Sequence, residues 1–360
     1  MVIDQNLYTK GTMKFLKGAA DFFSLDIGTN AVRAVQLSGG NGNWSLVKYA
    51  YAPVDSKIAT SDSAESRRRL GEIIMTAIGQ SGIKSRDVVI GLPSNKTFTT
   101  VVDVPMTNDA ELRATMKYQV EQYIPTSADA TKVDWAKLGP SLRQQGQQEI
   151  LITSVSNTYS EERLDFIEGL GFNVLAAEPD SVAMIRSLVP VGNQNAVLLL
   201  DMGEFSTDIA VVYGDAPRLI RTIPTGLSSF VKAAVQNLNV QEDQARQFIL
   251  KFGLATDKLD GQVFRAIEAS LDNFATEIAK SIKFFETRYT STTVSLLQLA
   301  GFAAAMPRFS DYMATKINVP AQAANPWARV SVPQSVMTQM TPIAHEFSTA
   351  VGLAMRDGSL

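Results

Sequence analysis

Twice in this chain an apolar run meets an Asp-x-Gly turn and continues as a second apolar run. The first copy is Ser24-Leu25-Asp26-Ile27-Gly28-Thr29-Asn30, followed by residues 31–37. The second is Leu199-Leu200-Asp201-Met202-Gly203-Glu204-Phe205-Ser206-Thr207-Asp208, followed by residues 209–213. Apolar runs joined by a short Gly-containing turn are the signature of a β-hairpin. A third strand is expected after each, at 44–51 and 218–223, giving two meanders. Such a turn offers backbone N–H donors and places a carboxylate at its mouth. Phosphate needs those donors, and a phosphate-bound Mg²⁺ needs a carboxylate, directly or through water. One turn of this kind carries little weight, because Asp and Gly are ordinary turn residues. Two, at matching places in a duplicated β/α plan, imply two lobes facing one cleft and gripping one nucleotide. The alternative is a pair of structural hairpins with no ligand.

Composition removes several rival chemistries. There is no cysteine, which excludes disulfides, thiolate zinc sites and cysteine nucleophiles. The only histidine is His345, expected as an ordinary side chain of a C-terminal helix. The net charge of −3 argues against a non-specific nucleic-acid surface. No apolar run approaches the ~20 residues that span a bilayer. Residues 1–20 predict a leader without a signal peptide, so the chain is expected to stay in the cytoplasm. Residues 13–23 are weakly amphipathic, and either touch a membrane face or pack beside the first strand.

Periodicity places helices over 67–78, from an N-cap at Thr107 to about 123, over 160–170, and from 227 behind Thr225-Gly226. Further helices are expected over 240–251, 259–289, 304–317 and 342–355. Pro179 suits the first turn of a helix that follows Glu178. Strands are expected at 87–93, 96–104, 149–155, 174–177 and 295–299. The Gln-rich stretch 126–148 predicts a loop with a short edge strand, and 320–333 a proline-bearing loop. Arg67, Arg68 and Arg69 suit a solvated helix face, and Phe274, Phe284 and Phe285 suit packing.

Paired Asp-x-Gly hairpins, a Glu-Pro step between them and a late strand-Gly-helix junction resemble the actin, Hsp70 and sugar-kinase superfamily. The resemblance narrows to the PilM family of actin-like type IV pilus assembly proteins. It rests on Met13-Lys14-Phe15-Leu16 before Asp26, Val104-Pro105-Met106 with Glu111-Leu112 and Tyr123-Ile124-Pro125, Glu178 to Arg186, and Ala350 to Arg356. It implies a duplicated α/β, ribonuclease H-like fold. The first lobe would span 21–178, with an inserted subdomain at about 85–171. The second would span 179–340, and 341–360 would return to the first lobe as a closing helix.

Roles follow residue by residue. Gly28, Thr29 and Asn30 would meet the phosphates of ATP from the first lobe. Gly203, Glu204, Phe205, Ser206 and Thr207 would do so from the second, with Thr225-Gly226 approaching the nucleotide. Asp26 and Asp201 would be the Mg²⁺-associated carboxylates, acting through metal-bound water. Glu178 matches a Glu that can orient an attacking water, although a helix-start carboxylate is the simpler reading of it. Glu277 and Lys280 would pass the adenosine, and Gly301 would let backbone approach the base. Two departures stand out. The adenosine turn reads Ala300-Gly301-Phe302-Ala303, and Glu204 puts a carboxylate where phosphate is expected.

The resemblance further implies a scaffold with slow or absent hydrolysis at the inner face of the cell membrane. Its groove would hold the N-terminal cytoplasmic tail of a PilN-like bitopic membrane protein, in contact with platform and motor proteins. Self-association stays open. Rival readings are an FtsA-like division protein and a sugar or acetate kinase. The first normally ends in an amphipathic membrane helix, and the second needs a catalytic base that the sequence does not offer.

Overall fold

The computed structural model describes residues 21–40 and 42–356. The expected leader, Met13-Lys14-Phe15-Leu16 and the last four residues lie outside the described residues. The described part of the chain divides into two compact units. Unit one holds the residues up to Ser187, Trp327–Gln334 and residues from Thr349 onward. Unit two holds Leu188–Pro326 and Ser335–Ser348.

Unit one opens with the antiparallel meander β1 (Phe22–Ile27), β2 (Ala31–Gly40) and β3 (Asn43–Pro53). Helices α1 (Ser56–Ala59) and α2 (Ala64–Ser81) follow, then β4 (Asp87–Leu92), which runs parallel to β1. The Ser63 side chain caps α2, and Gly82 ends it at φ +75. Next come β5 (Thr97–Pro105), α3 (Asp109–Gln119), β6 (Thr131–Pro140), β7 (Gln147–Ser156), α4 (Asn157–Gly169), β8 (Asn173–Pro179) and α5 (Asp180–Leu188). Strand β8 pairs parallel to β4.

Strand β4 shows how this sheet is covered. Val88, Ile90 and Leu92 join a core with Leu70, Ile74 and Ile78 of α2 and Ile167 of α4. Val89 points the other way, to Ala183 of α5 and Leu353. Period-two alternation thus feeds both faces, as expected of a strand between parallel neighbours. The arginine run of α2 stays solvated and paired with Glu65, Glu72 and Glu162.

Strands β5, β7 and β6 form a separate three-stranded sheet in that order. With α3 it encloses its own core of Val104, Leu112, Met116, Ile150 and Ile152. This body is narrower than the 85–171 expected, because β4 and α4, at the two ends of that range, pack in the main core. Two local expectations are corrected here. Asn108, not Thr107, caps α3, its Oδ1 accepting from Glu111 N at 3.0 Å. The 126–148 stretch holds a full ten-residue strand, β6. Its polar residues hid it, and an edge position tolerates them.

Unit two repeats the plan. The meander β9 (Ala196–Met202), β10 (Thr207–Tyr213) and β11 (Ala216–Ile223) precedes α6 (Leu227–Leu238), α7 (Glu242–Phe252) and α8 (Gln262–Arg288). Then come β12 (Val294–Gly301), α9 (Phe302–Ala305), α10 (Phe309–Ile317) and β13 (Ala321–Ala323). The sheet order is β11-β10-β9-β12-β13, the last two parallel to β9. The main sheet of unit one reads β3-β2-β1-β4-β8 in the same senses, extended at β3 by β14 (Val330–Ser331). The duplication seen in the sequence is therefore a duplication of topology. Helix α8 buries Ile267, Leu271, Phe274, Ile278, Ile282 and Phe285, the apolar stripe its period demands. Phe284 departs from the packing expected of it: it is half exposed under Arg288.

The described residues close with α11 (Gln334–Met340), a 3-10 turn at Ala344–Phe347 that carries His345, and α12 (Ser348–Ala354). The single helices expected over 304–317 and 342–355 are thus each interrupted. Pro307 has no N–H to donate and Arg308 turns to φ +64, so α9 stops and α10 restarts. The expected loop 320–333 holds β13 and β14, too short for alternation to reveal. Trp327–Gln334 also belongs to unit one, where the sequence partition placed it in the second lobe. Among the described residues no helix is long and apolar enough to cross a membrane.

Candidate functional site

Each unit carries its Asp-x-Gly turn between the first two strands of its meander. In unit one, Gly28 N donates to Ala31 O at 3.0 Å, closing the turn. Asp26 is buried, and the register sets Arg33 directly opposite it across β1 and β2. Arg33 Nη1 lies 3.2 Å from Asp26 Oδ2, and Nη2 donates to Asn30 Oδ1 at 2.9 Å. A Cβ on Gly28 would sit 2.8 Å from Arg33 Nη1, so the glycine makes room for the guanidinium. The turn therefore arrives with its acid already matched by a cation. Arg33 was missed in the sequence because it sits inside an apolar strand run; its place seven residues after Asp26, opposite it in a hairpin register, was the available signal.

In unit two, Gly203 N donates to Ser206 O at 2.9 Å. The N-terminus of α6 docks onto the turn, with Leu227 N donating to Gly203 O (3.1 Å) and Ser228 N to Glu204 O (2.9 Å). A Cβ on Gly226 would lie 2.6 Å from those same carbonyl oxygens, which is why glycine caps α6. Thr207 Oγ1 donates to Thr225 O at 2.7 Å, tying the two loops together. Among the described residues, no hydrogen bond engages the N–H groups of Glu204, Phe205 or Ser206. Three successive donors at a turn suit an anion.

Glu204 is 4% exposed, and both its oxygens are held by Arg246 of α7, one at 2.9 Å. That bidentate pair holds the Arg246 guanidinium above its usual pKa. Arg246 was not singled out in the sequence; nothing in its helix marks it. At the register position that Arg33 fills in unit one, unit two has Asp208, directly opposite Asp201. Thr222 Oγ1 donates to Asp208 Oδ1 at 2.7 Å. Cross-strand carboxylates repel, and a nearby cation relieves them.

Gly301 ends β12 beside Met202 of β9, and a Cβ there would strike Asp201 Oδ1 and Met202 O. The structure thus gathers Asp201, Gly203, Glu204, Thr207, Gly226 and Gly301 around one turn. Phe302, which follows Gly301 in the expected adenosine turn, packs against the core of unit two. Phe205 stands exposed at the tip. Glu277 and Lys280 are not gathered there by any described contact. They pair with each other at 2.6 Å, and Glu277 reaches Arg221 of β11 at 3.4 Å. The Lys280 hydrogen bond holds the Glu277 carboxyl below its usual range.

Glu178, at the end of β8, is 1% exposed. Pro179 closes β8, and α5 starts at Asp180 instead. Arg186 Nη1 reaches Glu178 Oε1 at 2.5 Å, while Arg186 Nη2 and Arg356 Nη1 reach Oε2 at 2.9 and 3.0 Å. Arg186 also donates to Gly352 O at 2.7 Å, and Arg329 donates to Arg186 O. The carboxylate is the centre of a buried cluster joining β8, α5 and the segment after α12. Among the described residues, no group of three or more His, Cys, Asp or Glu could hold a metal ion by itself.

A meander followed by two parallel strands, twice over, with a glycine turn in the same place each time, defines an actin-like duplicated fold. The known structures agree. A chain of the solved PilM-PilN type IV pilus biogenesis complex matches with TM-score 0.81 at 21% identity, over 95% of this chain and all of that one. Ethanolamine utilization protein EutJ from Carboxydothermus hydrogenoformans matches with TM-score 0.56 at 13% identity, over 92% of this chain and 88% of EutJ. The family model of type IV pilus assembly protein PilM matches residues 24–358, and the chain belongs to that family.

Proposed function

We propose that this protein is the actin-like scaffold of a type IV pilus inner-membrane platform, that it holds ATP with its two turns, and that it receives the cytoplasmic tail of a PilN-like membrane protein. Family membership supports the pilus assignment, and the PilM-PilN complex it resembles supports the partner. The observation that carries the nucleotide reading is the second turn: three open N–H donors, a neutralised Glu204 and an α6 N-terminus locked to the same loop. The residues fit the group. Gly28, Thr29 and Asn30 from unit one and residues 203–207 from unit two would take the phosphates. ATP would supply the phosphate oxygens that such backbone donors hold. A Mg²⁺ carried with it suits Asp201 and Asp208 better than Asp26, which Arg33 already neutralises.

Glu178 then serves as a tether, and hydrolysis is slow or absent. Its burial and two arginine partners leave it poorly suited to orienting water, which requires a group within about 3 Å of the reacting oxygen. Nucleotide would act by population shift, favouring one arrangement of the partner groove. Localisation at the inner face of the membrane follows from the partner. Calorimetry with ATP and Mg²⁺ tests the reading: the protein binds, and Asp201→Ala weakens binding. A pulldown with the PilN-like tail, with and without ATP, tests the partner. Absence of ATP binding by the unmodified protein defeats the nucleotide reading, and failure to retain the tail defeats the partner reading.

A further inference from the structure

An acidic residue in a phosphate-binding turn is a contradiction that the sequence alone leaves standing. Glu204 itself carries one of the three open donors, and its side chain is almost wholly buried and cannot swing into solvent without losing both its hydrogen bonds. An uncompensated carboxylate there would oppose a triphosphate strongly, since charges a few ångströms apart in a partly dry site are weakly screened. Unit two answers this from a different helix. Arg246 of α7 grips both oxygens of Glu204, while its own side chain stays about one-third exposed, at 30%. Unit one uses the same device at its own turn, where Arg33 grips Asp26. Two turns with different sequences thus each carry an acid matched by an arginine from the same unit.

We infer that Arg246 is a positioning residue of the nucleotide site: by holding Glu204 it converts an anion-repelling turn into an anion-accepting one. The inference rests on the nucleotide reading above and adds a residue to it. It also separates charge from packing. If Arg246 only anchored α7, Glu204 would matter as its partner, and loss of either would harm the turn alike. If Arg246 acts by cancelling charge, the two losses have opposite effects.

The test is calorimetric titration of the full chain with ATP and Mg²⁺ for wild type, Arg246→Gln, Glu204→Gln and the double variant, with thermal melts of each without ligand. Arg246→Gln is expected to bind at least about tenfold more weakly, the equivalent of about 1.4 kcal/mol. Glu204→Gln, which keeps the backbone of the turn, is expected to bind more tightly than wild type, because the opposing charge is gone and Arg246 is released toward the phosphates. The double variant is expected to regain most of the lost affinity. Unchanged affinity in Arg246→Gln, or unchanged or weakened affinity in Glu204→Gln, overturns the inference while leaving the nucleotide reading intact. If Arg246→Gln fails to fold, Glu204→Gln decides alone by the same criterion. Absence of binding by wild type overturns both.

Discussion

Replacing Glu178 with alanine separates a tether from a catalytic group. In the native cluster one carboxylate, 1% exposed, serves Arg186 and Arg356, whose side chains are 7% and 3% exposed. Alanine leaves two buried guanidinium groups facing each other without their shared anion. Breaking a buried pair by removing one partner costs about 3–5 kcal/mol. A unit of this size loses roughly 2–4 °C of melting temperature per kcal/mol, so the first calorimetric transition should fall by on the order of 10 °C. Glu178→Gln keeps the shape and one acceptor, and should fall by less. The assay is differential scanning calorimetry without nucleotide, beside any ATPase activity the protein shows. A Glu178→Ala protein that melts within about 2 °C of wild type, yet loses ATP turnover, would refute the tether and restore a catalytic part to Glu178.

Two further substitutions probe one contact in each unit. Gly352 of α12 lies so close to α5 that a Cβ would strike the carbonyl of Ala183 and come within 3.1 Å of its Cα. Gly352→Ala should therefore cost about 1–3 kcal/mol in a denaturant melt, where a glycine-to-alanine change in an open helix would stabilise. In unit two, Asp272 accepts from Lys316 Nζ and Tyr312 Oη, and the Lys316 bond, then the Tyr312 bond, holds its carboxyl below the usual range. A depressed carboxyl contributes stability above the unfolded value of about 4 and loses it as pH falls through the folded value. Melts of wild type and Asp272→Asn should differ near neutrality and converge in acid; a gap that widens in acid would contradict the pairing.

Much of the fold was legible because it was written twice. Asp26 and Asp201 marked two hairpins, and the third strands followed where the alternation placed them. The stripe on α8 was readable because 27 residues give period 3.6 time to declare itself. What escaped was short or non-local. Strands β13 and β14 are three and two residues long, and only their partners define them. Strand β6 is an edge, where polar residues are allowed to face out. At the site, glycines and turn residues could be named because their chemistry is local. Arg33, Arg246 and Asp208 could not, since each matters only through a partner that the register or a packed helix brings to it. Glu178 is a further case: its motif position was visible, while its contacts with Arg186 and Arg356 are made only by the tertiary fold.

Hydrogen–deuterium exchange, with and without saturating ATP and Mg²⁺, puts the most direct question to the proposal that both turns grip one nucleotide. The account predicts protection at residues 28–30 and at 203–207 together, appearing over the same range of ATP concentration. Protection at one turn alone, or at neither while ATP is shown to bind, would contradict it.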